Sequence, residues 1–229
     1  MSKINHKTKD IYVQYGAGNI AIEGWLNFDA SPTLRLQKIP IIGRIFKKKI
    51  IFDKNILFGD IVKGLPIKPN SIQGLFASHV LEHLAYDDAI TTLKNSFTML
   101  KPGGCFRLIV PDLQFYLDNY NTKLSTNGKK RKLAAYEFNL LSGLGRKESL
   151  NSLFARFKRT FGNSSHLWMW DYPSLAAELK KVGFINISKF RRGSSKDKMF
   201  LKPERDYQFS GSIGNYGLCI QAYKPFKES

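Results

Sequence analysis

A short β-type run, Asp10 to Gln14, leads directly into Gly16-Ala17-Gly18, and the chain goes on repeating the pattern of a strand that feeds a turn. Such a start opens nucleotide-binding α/β units, because glycine lets the main chain turn tightly and approach a ligand. Trp25 to Phe28 reads as a second strand ending at Asp29, and Asn55 to Phe58 as a third ending at Gly59-Asp60. Ile72 to Ala77 is a fourth, followed by a loop from Ser78 to Leu84. Ile90, Leu93, Phe97 and Leu100 then recur at helical spacing, stopped by Pro102-Gly103-Gly104. A buried strand, Cys105 to Val110, closes with Pro111-Asp112. Later, Asp171 is placed to cap a helix with apolar Leu175, Leu179 and Val182, which Gly183 ends. Ile185 to Phe190 and Leu218 to Tyr223 are the last strands, separated by a polar loop with Gly193, Gly211 and Gly214.

Alternating strands and helices require an open sheet covered on both faces, with its ligand crevice at the carboxyl ends of the strands. The glycines and acids just named fall at that edge. The 229 residues fit one α/β domain, 1–229, in which 113–165 forms a basic helical insertion or cap broken by Gly128, Gly143, Gly145 and Gly162.

Charge narrows the partners without choosing one. Against 18 Asp and Glu stand 36 Lys and Arg, for a net charge of +18, a field that attracts nucleic acid, anionic lipid or an anionic substrate. The bland alternative is a well-solvated surface. No apolar run is long enough to span a bilayer and the N-terminus has no signal-peptide core, so a cytoplasmic protein is expected. Cys105 and Cys219 lie in separate apolar runs and read as reduced core thiols.

Gly16-x-Gly18-x-x-Ala21 fits the dinucleotide fingerprint, but Asp29 follows Gly18 by only 11 residues, where that pattern needs about 20. The first helix must be short or missing. A ligand without phosphates has less use for a helix terminus, which favours S-adenosylmethionine over a nicotinamide cofactor. Asp29 suits two vicinal ribose hydroxyls, as an ionised, acceptor-only group. Asp60 either accepts from an adenine amine, with Ile61 over the ring, or caps the following turn. His79-Val-Leu-Glu82-His83 matches the H-x-x-E-H zinc signature, but that chemistry needs both histidines on one helical face and a third ligand. Neither is evident at a strand end, so no metal is expected.

Taken in order, Tyr15-Gly-Ala-Gly18, Trp25-Leu-Asn-Phe-Asp29, Ser78-His-Val-Leu-Glu-His-Leu84 and Leu100-Lys-Pro-Gly-Gly104 resemble the motifs of class I methyltransferases, most closely the type 11 subgroup. The resemblance covers about Ile11 to Phe190, with Leu218 to Tyr223 matching the family's final antiparallel strand. It implies an α/β, Rossmann-like methyltransferase sandwich with a mostly parallel seven-stranded sheet, an antiparallel last strand and a helical insertion after strand 5. It also implies S-adenosyl-L-methionine as cofactor. The glycine loop (Tyr15, Gly16, Gly18) would lie against its methionine part, Asp29 would bind ribose, Asp60 and Ile61 adenine, and Ser78 and His79 would border the sulfonium. Ala17 and the short first crossover depart from the family's usual glycine loop, and the insertion has no general family role.

Methyl transfer from a sulfonium is a direct displacement, so a catalytic side chain is optional and a base helps a hydroxyl acceptor. Candidates for that base are Asp112, at the end of the fifth strand, and His166. Trp168 and Trp170 either join His166 in an aromatic floor for a sugar or ring or pack on the core. The acceptor class expected is a small molecule or cell-surface glycan precursor, anionic or carried on an anionic lipid. The alternatives are an RNA methyltransferase tracking phosphates with Lys129 to Lys132, Arg156, Lys158 and Arg159, and a non-catalytic binding module on the same fold. Ile39 to Phe52, with Arg44 and Lys47 to Lys49, can also lie on a membrane surface, although a crossover packed on the sheet fits it better.

Overall fold

The computed structural model describes residues 10–37, 52–147, 165–205 and 217–226. In chain order its elements are β1 (Tyr12–Tyr15), β2 (Leu26–Asp29), α1 (Pro32–Gln37), β3 (Ile56–Phe58), β4 (Ile72–Ser78), a 3-10 turn (Leu81–His83), α2 (Tyr86–Met99) and β5 (Leu100–Pro111). There follow α3 (Leu113–Leu124), α4 (Lys129–Leu141), α5 (Tyr172–Val182), β6 (Ile185–Lys189), α6 (Lys198–Arg205) and β7 (Gly217–Tyr223). The strands form one seven-stranded sheet in the order β3-β2-β1-β4-β5-β7-β6. Ladders among β1 to β5 are parallel, and β7 runs antiparallel to both β5 and β6. This is the Rossmann-like α/β sheet expected from the sequence, seven-stranded and mostly parallel with an antiparallel last strand.

Strand periodicity sorts the core into two layers. Val13, Tyr15, Leu75, Ala77, Phe106, Leu108 and Val110 point to one face, where α2 and α5 bring Ala89, Leu93, Leu175 and Leu179 against them. On the other face Tyr12, Phe76, Cys105 and Ile109 meet Trp25 and Phe200. Asp171 caps α5 through a capping box with Ser174, and Gly183, at φ 112°, ends it. Both cysteines are free and buried, and burial pushes the Cys105 thiol up to about 12, as befits an inert core residue.

Two segments depart from the sequence expectation. Strand β5 begins at Leu100 and runs through Pro102-Gly103-Gly104, which was expected to be a turn. Gly103 has a left-handed φ of 75°, yet its N–H donates to the Lys224 carbonyl at 3.0 Å, so the stretch pairs with the chain leaving β7. The polar loop after β6 contains α6, whose Phe200 is buried under the sheet. Within the described residues the expected insertion is helical, as α3 and α4. Among the described residues no helix is long and apolar enough to cross a membrane. Most of Ile39 to Phe52, together with Arg156, Lys158 and Arg159, lies outside the described residues.

Candidate functional site

The sheet order reverses between β1 and β4. From β1 the chain crosses outward to β2 and β3, whereas β4 leads the other way to β5. Neighbouring loops therefore diverge at the carboxyl ends of β1 and β4 and leave a crevice, the usual ligand position in an open α/β sheet.

On one side of this crevice stands the glycine loop. Gly16 and Gly18 hold left-handed φ values of 67° and 58°. A Cβ on Gly16 would lie 2.2 Å from Val80 Cγ2, so the loops after β1 and β4 touch only because residue 16 has no side chain. The crossover to β2 contains no helix, as the Gly18–Asp29 spacing required. Its turns wrap around Asn27, whose Oδ1 accepts from Ile22 N at 2.9 Å and whose Nδ2 donates to the carbonyls of Ile22 and Trp25, each at 3.1 Å. Sequence reading passed over Asn27. A buried amide inside the Trp25-Leu-Asn-Phe-Asp29 motif was the available signal.

Asp29 ends β2 with its carboxylate turned back to the glycine loop. Oδ2 accepts from Gly18 N at 2.8 Å and Oδ1 from Ser31 N at 2.7 Å. Each oxygen keeps a second lone pair for a ligand hydroxyl. Burial raises the Asp29 pKa from its ordinary value, and the two N–H donors offset part of the rise. Asp60 takes the capping role weighed for it: Oδ1 accepts from Val62 N at 3.0 Å and Oδ2 lies 3.5 Å from Lys63 Nζ. Ile61 is buried in the core, its carbonyl held by Asn95 Nδ2 at 2.7 Å. The Tyr15 side chain is buried too, its hydroxyl 3.3 Å from Ser96 Oγ, so only its main chain faces the strand end.

The loop after β4 supplies the other side. Ser78 Oγ is buried without a hydrogen-bond partner among the described residues. His79 adopts a left-handed φ of 55°, rare for a residue with a side chain, and its Nδ1 lies 2.8 Å from Glu82 Oε1. The Glu82 side chain is fully buried. Its main-chain carbonyl accepts from Leu167 N at 2.7 Å and Trp168 N at 3.3 Å, which ties the segment returning from the insertion onto this loop.

That tether brings in His166, one of the two expected bases. Its Nδ1 lies 2.5 Å from the Ser142 carbonyl, and its ring centre is 5.0 Å from that of His83. Burial lowers the His166 pKa, keeping the imidazole neutral. Asp112 serves elsewhere: its Oδ1 caps α3 by accepting from Gln114 N at 3.1 Å, and its main chain bridges to Trp170. The aromatic pair differs in exposure, with Trp170 buried in the core and Trp168 at the surface, yet the rings stay in contact, with centres 6.2 Å apart, and both pack on Tyr86.

No protein-family model and no curated protein sequence matches the chain. Several solved structures resemble it at a distance. A SAM-dependent methyltransferase from Archaeoglobus fulgidus is 12% identical with a TM-score of 0.47, over 94% of this chain and 86% of its own. One from Thermotoga maritima is 17% identical with a TM-score of 0.45, over 93% and 82%. Phosphoethanolamine N-methyltransferase 2 of Haemonchus contortus, solved with phosphomonomethylethanolamine and S-adenosylhomocysteine, is 13% identical with a TM-score of 0.46, over 94% and 49%. So distant a likeness carries no residue roles over to this chain.

Proposed function

We propose that this chain, as one domain over residues 1–229, is an S-adenosylmethionine-dependent methyltransferase. The observation that carries the reading is Asp29. A buried carboxylate closes a helix-free crossover beside the glycine loop, anchored by two main-chain N–H groups and keeping a lone pair on each oxygen. That suits a pair of ribose hydroxyls and has little use for a pyrophosphate, which is bound by helix N-termini and cations. Other groups fit the same ligand. Ser78 Oγ is an orphaned buried hydroxyl, and Gly16 has no side chain to hold the loops after β1 and β4 apart, Val80 filling the space a Cβ would need.

When bound, the cofactor supplies an electrophilic methyl on sulfur, open to direct displacement. The chain's part is placement. Asp29 fixes the ribose end, Gly16 and Gly18 let the methionine part lie against the main chain, and Ser78 and His79 border the donor side. We assign the adenine amine to the lone pairs that Asp60 keeps beyond its turn cap, with Ile61 buried behind it. Bringing donor and acceptor into line accounts for about 7–11 kcal/mol of barrier lowering without a covalent intermediate. His166, held neutral, is the better base for a hydroxyl acceptor, because Asp112 is spent on its helix cap.

For the acceptor we favour an anionic small molecule or cell-surface glycan precursor. Lys129, Lys130, Arg131 and Lys132 are all exposed in the first turns of α4, which has no acid in its first turn and no side-chain cap. Cations there oppose the helix dipole, and a bound anion offsets that repulsion. The same four residues support the RNA-methyltransferase reading, which a steep salt dependence of RNA binding would favour.

Isothermal titration with S-adenosylmethionine and S-adenosylhomocysteine, with NAD as control, tests the cofactor. Binding of the adenosyl ligands that disappears in Asp29→Ala is expected, and NAD binding instead would overturn the reading. His166→Ala should lower turnover while leaving cofactor affinity intact. An unchanged rate would remove His166 from the mechanism.

A further inference from the structure

The buried carboxylate of Glu82 is left with an unfilled oxygen. Oε1 lies against His79 Nδ1, but Oε2 is buried with no hydrogen-bond partner among the described residues. An ionised oxygen excluded from water and left without a partner is unfavourable, so it calls for a proton donor or a cation. Two imidazoles stand beside it. His83 Nε2 lies 4.0 Å from Glu82 Oε1, and His166 is held alongside by the N–H groups of Leu167 and Trp168 on the Glu82 carbonyl.

Both imidazoles are set in the same way. His83 gives Nδ1–H to the Ser165 carbonyl at 3.1 Å, and His166 gives Nδ1–H to that of Ser142 at 2.5 Å. Each is thereby fixed as the tautomer with its lone pair on Nε2, the arrangement by which a second shell prepares a histidine to ligate a metal. His79 plays the matching part for the carboxylate. Ring spacing agrees as well: two imidazoles on one tetrahedral ion, with bonds of about 2.0–2.1 Å, place their centres about 5 Å apart. The observed separation is 5.0 Å. The ligand atoms of Glu82, His83 and His166 lie within 4.8 Å of one another, where a bound tetrahedral ion needs about 3.3–3.6 Å, so loading draws them in by about an ångström.

We propose that Glu82, His83 and His166 form a three-ligand site for a zinc-class divalent cation, with its fourth position open to a water or an acceptor oxygen; in the loaded protein His166 Nε2 is a ligand and no longer a base, and a metal-bound water takes that part. Two imidazoles and one carboxylate are the donor set of catalytic rather than structural zinc. The zinc-signature reading of His79 and His83 fails because His79 lies outside the 3-10 turn and is turned onto Glu82. The third ligand comes instead from the segment that returns from the insertion.

The test is uptake of zinc by the full chain after dialysis against chelator, followed by titration calorimetry and by the visible spectrum of the Co²⁺-substituted protein. One equivalent of zinc and a four-coordinate Co²⁺ spectrum are expected. His83→Ala, His166→Ala and Glu82→Gln should each weaken zinc binding by about tenfold or more. Asp29→Ala should keep its zinc while losing the adenosyl ligand, so this inference and the cofactor reading fail separately. Circular dichroism monitors folding of each variant. Wild-type protein that takes up no more zinc than a folded His83→Ala/His166→Ala variant, or that gives a six-coordinate Co²⁺ spectrum, would overturn the proposal. Should that double variant not fold, the wild-type stoichiometry and spectrum decide by themselves.

Discussion

Arg107, in the middle of β5, meets Glu204 of α6 at 2.8 Å between Nη2 and Oε1, with both side chains excluded from solvent. Its guanidinium also lies 3.6 Å from the centre of the Phe190 ring, and Nη1 donates to Gln221 Oε1 at 3.2 Å. Glu204 Oε2 in turn accepts from Gly193 N. The pair thus ties the helix and the loop before it to the underside of the sheet. Removing one partner strands the other charge in the core. Glu204→Gln and Arg107→Met are each expected to lower stability by about 3–5 kcal/mol. Replacing both by methionine should recover most of that loss, and urea midpoints of the three variants check it.

Asp29 carries a pH signature. Burial lifts its folded pKa above the ordinary 3.8. A carboxyl raised in the folded state binds its proton more readily there than in the unfolded chain. Its contribution to stability is therefore fully present below 3.8 and is lost as pH rises through the folded value. The stability of wild type relative to Asp29→Asn should decrease as pH rises above 3.8. Urea denaturation without cofactor measures the gap, and a gap that widens with pH contradicts this account.

Gly16→Ala should damage both fold and site. Its new Cβ would fall 2.2 Å from Val80 Cγ2, on a backbone with φ 67°. We expect a loss of about 1–3 kcal/mol and failure to bind the adenosyl ligand, with Val80→Ala restoring part of the stability by making room. Thermal unfolding of the single and double variants reads the rescue.

The two neighbouring tryptophans should behave oppositely. Trp170 is 1% exposed and Trp168 43%. Trp170→Ala is expected to lose about 3–5 kcal/mol. Trp168→Ala should lose its ring contacts with Tyr86 and Trp170, about 0.5–1.5 kcal/mol each, so a fall in turnover without a larger loss of stability reports acceptor binding at that surface.

What the sequence disclosed was local. Strand-to-turn transitions depend on neighbouring residues, so the glycine loop, Asp29 and the Asp171-to-Gly183 helix could be read directly, and the short Gly18–Asp29 spacing already called for a first crossover helix that is short or missing. The extra length of β5 was hidden because Pro102-Gly103-Gly104 carries turn residues, and what extends it is a hydrogen bond to Lys224, far along the chain. Helix α6 escaped because Lys198–Arg205 is polar and contains Pro203, and Phe200 gains its burial only against Tyr12 and Trp25. Nothing local to Arg107 announces Glu204 either. For His166 the residue was singled out but its neighbours were not, since Glu82 and His83 reach it only through tertiary folding.

The main chain of Asp112 bridges to Trp170, and Leu113 N donates to the Trp170 carbonyl at 2.9 Å. The insertion therefore leaves the sheet and returns to it beside the same strand end, like a loop of rope tied off at its base. Whatever lies between the two ends can lengthen, shorten or be exchanged without shifting a strand. In a lineage of such proteins, the sheet and the inserted segment are free to change at different rates.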